Sequence, residues 1–112
     1  MKPPATIRVA HRDVSLKLVP GGEIGADSAR GVFDSAGGTI RIDKTLLTCD
    51  QAETVLHELL HACWPNFDIP AEASARDWEE IPVSVVAQNL AQVWRDNPKL
   101  VSWVSWALNA VQ

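Results

Sequence analysis

The two halves of this chain carry different hydrophobic periods, and this difference constrains the fold more than any other feature. In the first half, apolar and polar residues alternate over Ile7–Val9, Val14–Leu18 and Thr39–Asp43, which is typical of half-buried strands. A weaker strand is predicted for residues 29–34. From residue 50 onward the apolar period is helical. Strands followed by helices predict the α+β class.

Three helices are predicted in the second half. The first covers residues 52–64, with Asp50 as N-cap and Glu53 at the capping-box position. The second runs from about 77 to 95, and the third from about 100 to 111, after an Asn-Pro break. The apolar stripe predicted for the second helix consists of Val83, Val86, Leu90, Val93 and Trp94.

Length and charge limit the classes of function. A chain of 112 residues allows one compact domain, so we expect a single domain over residues 1–112. Lys and Arg number 10 against 14 Asp and Glu, and the net charge of −4 argues against a protein that binds nucleic acid by neutralising phosphates. No apolar run is long enough to cross a bilayer, so no membrane partner is expected.

The N-terminus and the cysteines point to a reducing compartment. Residues 1–6 lack the apolar core of a secretory signal, which favours a cytoplasmic location. Cys49 and Cys63 are too few for a disulfide framework. We therefore expect two buried thiols. His11, in a turn between the first two strands, is expected to be a solvated loop residue.

The first predicted helix contains His57, Glu58 and His61 in an H-E-x-x-H motif. Residues four apart on a helix share a face and lie roughly 6 Å apart along the axis, so both imidazoles can converge on one metal ion. Glu58 lies roughly 100° around the helix from His57, where its carboxylate can reach a metal-bound water. The motif predicts Zn²⁺ as cofactor and Glu58 as general base.

A catalytic zinc site needs a third protein ligand. The class of enzymes whose motif continues as x-x-G-x-x-H is excluded, because those positions hold Trp64 and Phe67. Glu79 and Glu80 open the predicted second helix and are the two candidates. Helix phase favours Glu79, which lies near the centre of the apolar stripe, whereas Glu80 has capping-box spacing from Asp77.

These residues resemble the minimal gluzincins, which are small zincin-fold metallopeptidases with a glutamate as third zinc ligand. The resemblance is carried by the motif within Thr54–Ala62, the strand Thr39–Asp43 before it and the pair Glu79-Glu80 after it. Residues 90–98 also resemble small phage-encoded zincin-like proteins, related in architecture to the SprT-like and ImmA/IrrE-like metallopeptidases. The resemblance implies an α+β zincin-like fold: a small twisted mixed sheet of three to four strands followed by three helices, with the motif on the first.

We therefore expect a zinc metallopeptidase acting on a peptide or protein substrate, with zinc on His57, His61 and either Glu79 or Glu80. Of the tryptophans, Trp64 and Trp78 flank the motif, and one of them is expected to wall the substrate cleft. The alternative is a non-catalytic zinc-binding interaction module. It is favoured by the lack of a second group to stabilise an oxyanion, since the chain contains no Tyr. A phage protein associated with nucleic acid is a third option, opposed by the acidic charge balance.

Overall fold

Four strands come first and three α-helices follow in a computed structural model that describes residues 1–25, 29–64, 72 and 74–110. The elements are β1 (Thr6–Val9), β2 (Arg12–Val19), a 3₁₀ turn (Gly21–Glu23), β3 (Gly31–Asp34), β4 (Thr39–Asp43), α1 (Thr48–Cys63), α2 (Ala75–Asp96) and α3 (Pro98–Leu108). The predicted α+β class is confirmed, including the weaker strand. The predicted connection between the first two helices covers residues 65–76. Most of it, including residues 65–71, lies outside the described residues.

The sheet is mixed and its spatial order is β1-β2-β4-β3. β1 and β2 form an antiparallel hairpin, and β3 and β4 form a second one. The hairpins join through β2 and β4, which run parallel with Leu16 opposite Ile40. Because β4 lies between β2 and β3, β3 becomes an edge strand of the described sheet.

One face of the sheet carries the core. Alternate strand residues on this face are buried, as the period-2 pattern predicts, while Arg8, Lys17 and Arg41 occupy the opposite face. The buried strand residues are Ile7, Val9, Val14, Leu16, Ile40 and Ile42. α1 packs on them through Ala52, Val55, Leu59 and Cys63, and α3 packs against α1 and completes the same core with Leu100, Trp103, Val104 and Ala107. Of the C-terminal tryptophans, Trp103 is buried, whereas Trp94 and Trp106 keep about two fifths of their surface exposed (42% and 41%).

The outer edge of β1 is covered by side-chain amides from the end of α2. The Arg8 amide donates to Asn97 Oδ1 at 2.7 Å, and Asn97 Nδ2 donates back to the Arg8 carbonyl at 2.9 Å. The Ala10 amide donates to Gln92 Oε1 at 2.7 Å. These bonds satisfy backbone groups that an edge strand otherwise leaves open to another chain.

The predicted starts of the first two helices are corrected. α1 begins at Thr48, two residues before the predicted cap, and Asp50 lies in its first turn, where it pairs with Arg30 at 3.4 Å. A carboxylate is favourable there because of the helix dipole. α2 begins at Ala75, and its capping box joins Ser74 to Asp77, not Asp77 to Glu80.

The predicted stripe of α2 is also corrected. Val83 and Trp94 are exposed, while Pro82 and Val93 are the buried residues of this helix. The side of α2 that carries Pro82 faces the rest of the domain, and all residues from Ala75 to Glu80 are exposed.

Within the described residues, no helix combines the length and the apolar run that a bilayer crossing requires.

β3 lies unusually close to α1 at Gly31. A Cβ at this position would be 2.7 Å from Thr54 Cγ2 and 2.8 Å from Ile42 Cδ1, closer than side-chain carbons approach each other. The Arg30–Asp50 ion pair joins the same two elements next to this contact. The glycine therefore sets how near the edge strand comes to the helix that carries the H-E-x-x-H motif.

We expect Gly31→Ala to lower the free energy of unfolding by about 1–3 kcal/mol, because the new methyl group forces β3 away from α1. Urea unfolding followed by circular dichroism measures the loss. Gly22→Ala is the matched control, since nothing lies within 4 Å of a Cβ at Gly22. It should change the stability by less than about 0.5 kcal/mol. Equal stability of the two variants would contradict the close-approach role of Gly31.

Candidate metal centre

The packing of α1 places the motif at the border between core and solvent. Ala52, Val55, Leu59 and Cys63 recur every three or four residues and fix which side of the helix faces the sheet. His57 and His61 lie one turn apart beside this stripe and are both exposed. Glu58 lies between the exposed histidines and the core, and its side chain is only 8% exposed.

The three side chains come together as the helical spacing predicts. One donor atom from each of His57, Glu58 and His61 lies within 4.8 Å of the other two. The imidazole rings are 5.0 Å apart between centroids and nearly perpendicular, at 71°. His57 Nε2 is 3.8 Å from Glu58 Oε1. Two imidazoles and a carboxylate thus converge on one small region of space.

The cluster opens into a cleft between α1 and β3. On one side of Glu58 lies a cavity of about 330 Å³ bordered by Gly31, Thr54 and His57. On the other side lies a cavity of about 750 Å³ bordered by Gly31, Phe33 and His61. Gly31 and Glu58 border both cavities, so these two residues lie between the two cavities along the edge strand.

The donor set suits a divalent metal. Imidazole nitrogen and carboxylate oxygen bind zinc at about 2.0–2.2 Å, so two ligand atoms of one ion are at most about 4.4 Å apart. Donor atoms within 4.8 Å are close to this limit, and the exposed imidazoles can rotate to close the difference. Among the described residues, this His/Glu/His cluster is the one group of its kind that could hold a metal ion.

The predicted third ligands are not part of this cluster. Glu79 and Glu80 are exposed on the first turns of α2, and neither belongs to the group formed by the described residues. The choice between them stays a prediction.

Cys63 is buried on the opposite side of α1, and burial raises the pKa of its thiol, which keeps the thiol protonated. Cys63 is a core residue, as the sequence predicts, whereas Cys49 is only half-buried, which corrects the expectation of two buried thiols; both thiols are free.

The remaining polar candidates have other roles. Asp43 accepts hydrogen bonds from the hydroxyl and the backbone amide of Thr45, and these bonds lower the pKa of its carboxyl. His11 is exposed in the β1–β2 turn, as predicted.

Trp64 borders the larger cavity next to His61, whereas Trp78 is exposed on α2 and borders neither cavity. Of the two flanking tryptophans, Trp64 is therefore the one that walls the cleft.

Among the residues that border the larger cavity, Arg12, Gly31 and Phe33 were not predicted from the sequence. Gly31 had a usable signal, because a glycine inside a strand pattern often marks a close backbone approach. Arg12 had none, since it reaches the cleft only through the pairing of β2 with β4.

Comparisons with protein-family models, with curated proteins and with solved structures gave no match to this chain. The residues and geometry of the cluster therefore carry the functional proposal.

We expect His61→Ala to reduce zinc affinity at least about 100-fold, because it removes one of two convergent imidazoles. Metal analysis after equilibrium dialysis against buffered zinc measures the loss. His11→Ala is the matched control, since it removes an exposed histidine far from the motif in the sequence. The wild type and this control should each hold about one equivalent. Equal zinc retention by the His61→Ala and His11→Ala variants would contradict the site.

Proposed function

We propose that this protein is a zinc-dependent metallopeptidase of the zincin type, which hydrolyses peptide bonds in the cleft between α1 and β3. The observation that carries the proposal is the buried Glu58 carboxylate held beside two exposed imidazoles at the centre of that cleft. A four-stranded mixed sheet packed on the motif helix also agrees with the fold that the resemblance to minimal gluzincins implies.

His57 and His61 would hold the metal. When bound, zinc supplies a Lewis acid that activates water near neutral pH and polarises a carbonyl oxygen. A glutamate of α2 is assigned as the third ligand, with Glu79 as first choice. Glu79 lies three residues before the buried Pro82 and so shares its side of the helix, whereas Glu80 points away from it.

Glu58 is assigned as general base and then general acid. Its carboxylate takes a proton from the attacking water as the oxygen bonds to the scissile carbonyl carbon. It then delivers that proton to the leaving nitrogen as the C–N bond breaks. Its position supports this role, because the side chain is nearly excluded from solvent yet borders both halves of the cleft.

The edge strand supplies groups for a substrate backbone. The Asp43 amide donates to the Arg30 carbonyl at 2.9 Å, which makes residues 30 and 43 a hydrogen-bonded pair of the β3–β4 ladder. In an antiparallel ladder, hydrogen-bonded residue pairs alternate with pairs that form no hydrogen bonds to each other. Gly31 and Phe33 belong to the second kind, so their backbone amides and carbonyls point away from β4. They face the cleft, where an extended peptide can pair with them by strand addition.

We expect Glu58→Gln to lower kcat for peptide hydrolysis by about 10²–10⁴, since glutamine cannot accept the proton from water. Zinc content should stay near one equivalent. Glu53→Gln is the matched control, because Glu53 borders the smaller cavity and is exposed. Mass spectrometry of a peptide library measures cleavage. Full activity in the Glu58→Gln variant would contradict the assignment.

We expect Glu79→Ala to weaken zinc binding more than Glu80→Ala does, by at least about tenfold. Competition with a chromophoric chelator measures both affinities. Both side chains are exposed, so neither variant should change the thermal unfolding midpoint appreciably. Unchanged affinity in both variants would show that the third ligand lies elsewhere.

A second candidate function is non-catalytic metal binding. It is favoured by one observation: Glu58 itself belongs to the cluster of possible ligands, while no residue of α2 does. In that case Glu58 coordinates the ion and no general base is left. The two functions differ in the zinc content of the Glu58→Gln variant, which stays near one equivalent if Glu58 is a base and falls if it is a ligand.

A further inference from the structure

Arg12 lies at the far end of the cleft from the smaller cavity. It opens β2, and its side chain reaches the β3–β4 turn, where Nη2 donates to the Ser35 carbonyl at 2.7 Å. The guanidinium lies against Gly38, where a Cβ would collide with it. These two contacts hold the cation at one place beside the edge strand.

The charge of Arg12 is not neutralised by a neighbouring described residue. Arg8, Arg30 and Arg95 each form an ion pair with a carboxylate, namely Asp13, Asp50 and Asp96. Within the described ranges Arg12 has no such pair, and its one hydrogen bond leaves most of its five donors available. A guanidinium with free donors is suited to bind a carboxylate through two parallel hydrogen bonds.

Arg12 shares its cavity with the candidate metal centre. The cavity of about 750 Å³ is bordered by Arg12 and Ser35 as well as by Glu58 and His61. Its other side chains are apolar or neutral, including Phe33 and Trp64, so Arg12 is the one cation among its described lining residues outside the histidine cluster. A ligand that extends from Glu58 along β3 therefore meets this cation.

The strand provides a measure of the distance. Gly31 borders the cleft beside Glu58, and Ser35, which accepts the Arg12 hydrogen bond, is four residues further along. Within β3, the three steps from Gly31 to Asp34 span about 10 Å at about 3.3 Å per residue, and Ser35 follows in the turn. An extended peptide paired with β3 covers this distance in three to four residues.

We propose that Arg12 is a specificity-determining residue that binds a carboxylate three to four residues away from the bond aligned with Glu58. The inference rests on the proposed peptidase function and names its substrate class: extended peptides with an acidic group at that spacing. The carboxylate can belong to an Asp or Glu side chain or to the C-terminus of the peptide, and the experiment separates these sources.

The test measures peptide binding without turnover. Zinc-loaded protein with Glu58→Gln is titrated into fluorescent end-capped peptides that differ only in Glu or Gln at each successive position, and anisotropy gives the Kd. A third series has Gln throughout and a free C-terminal carboxylate. We expect one Glu position to bind about three- to tenfold more tightly than its Gln counterpart at low salt, and less so at high salt.

Arg12→Gln should abolish the difference in Kd between the Glu peptide and its Gln counterpart. Arg8→Gln is the matched control, because Arg8 is exposed on the same hairpin but does not border the cavity. Because Arg12 also supports the β3–β4 turn, Arg12→Lys serves as a second variant that retains the charge and should keep part of the preference. A thermal unfolding midpoint equal to that of the parent protein shows that the fold is retained.

Tighter binding of the free-carboxylate series alone assigns the site to the C-terminus of a peptide, and tighter binding of one capped Glu peptide assigns it to a side chain. Equal binding of all series, binding of none, or a preference that survives Arg12→Gln would overturn the proposal. Arg12-dependent binding together with no cleavage by the wild type would refute the peptidase function and leave this inference standing. Cleavage indifferent to acidic residues would do the reverse.

Discussion

The rotation of α1 about its own axis is the constraint on which the site depends. Four small or apolar residues of this helix are buried against the strands, and they admit one rotational setting. In this setting His57 and His61 are exposed to solvent, and Glu58 is buried beside the edge strand β3. A rotation by one residue, about 100°, would bury an imidazole and expose Leu59. Core packing and site geometry are thus determined by the same contacts.

Glu58 is the residue that a purely structural account explains least well. Burial of a carboxylate is costly unless a partner compensates, and its nearest basic partner is the imidazole of His57 at 3.8 Å. An apolar side chain at this position would extend the core at no such cost. A carboxylate that borders both cavities beside two imidazoles supports the proposed catalytic role.

The site could be predicted from sequence because its geometry is local. His57, Glu58 and His61 lie within five consecutive residues, so helical spacing alone brings them together. The helix starts were less predictable, because more than one residue near each start is suited to the first turn: Asp50 pairs with Arg30 inside the first turn of α1, and Ser74 provides the cap of α2. The strands followed from alternation, but their order did not. The insertion of β4 between β2 and β3, which brings Arg12 and Gly31 to the cleft, depends on contacts between distant segments.

We propose that the two histidines one turn apart on α1 bind a metal ion together with oxygen donors and without the cysteines. X-ray absorption at the zinc edge on the zinc-loaded protein distinguishes these ligands, because imidazole, oxygen and sulfur neighbours scatter differently. We expect nitrogen and oxygen neighbours alone at about 2.0–2.2 Å, with the outer-ring pattern of two imidazoles. Absence of bound zinc, or a sulfur neighbour at about 2.3 Å, would refute this coordination.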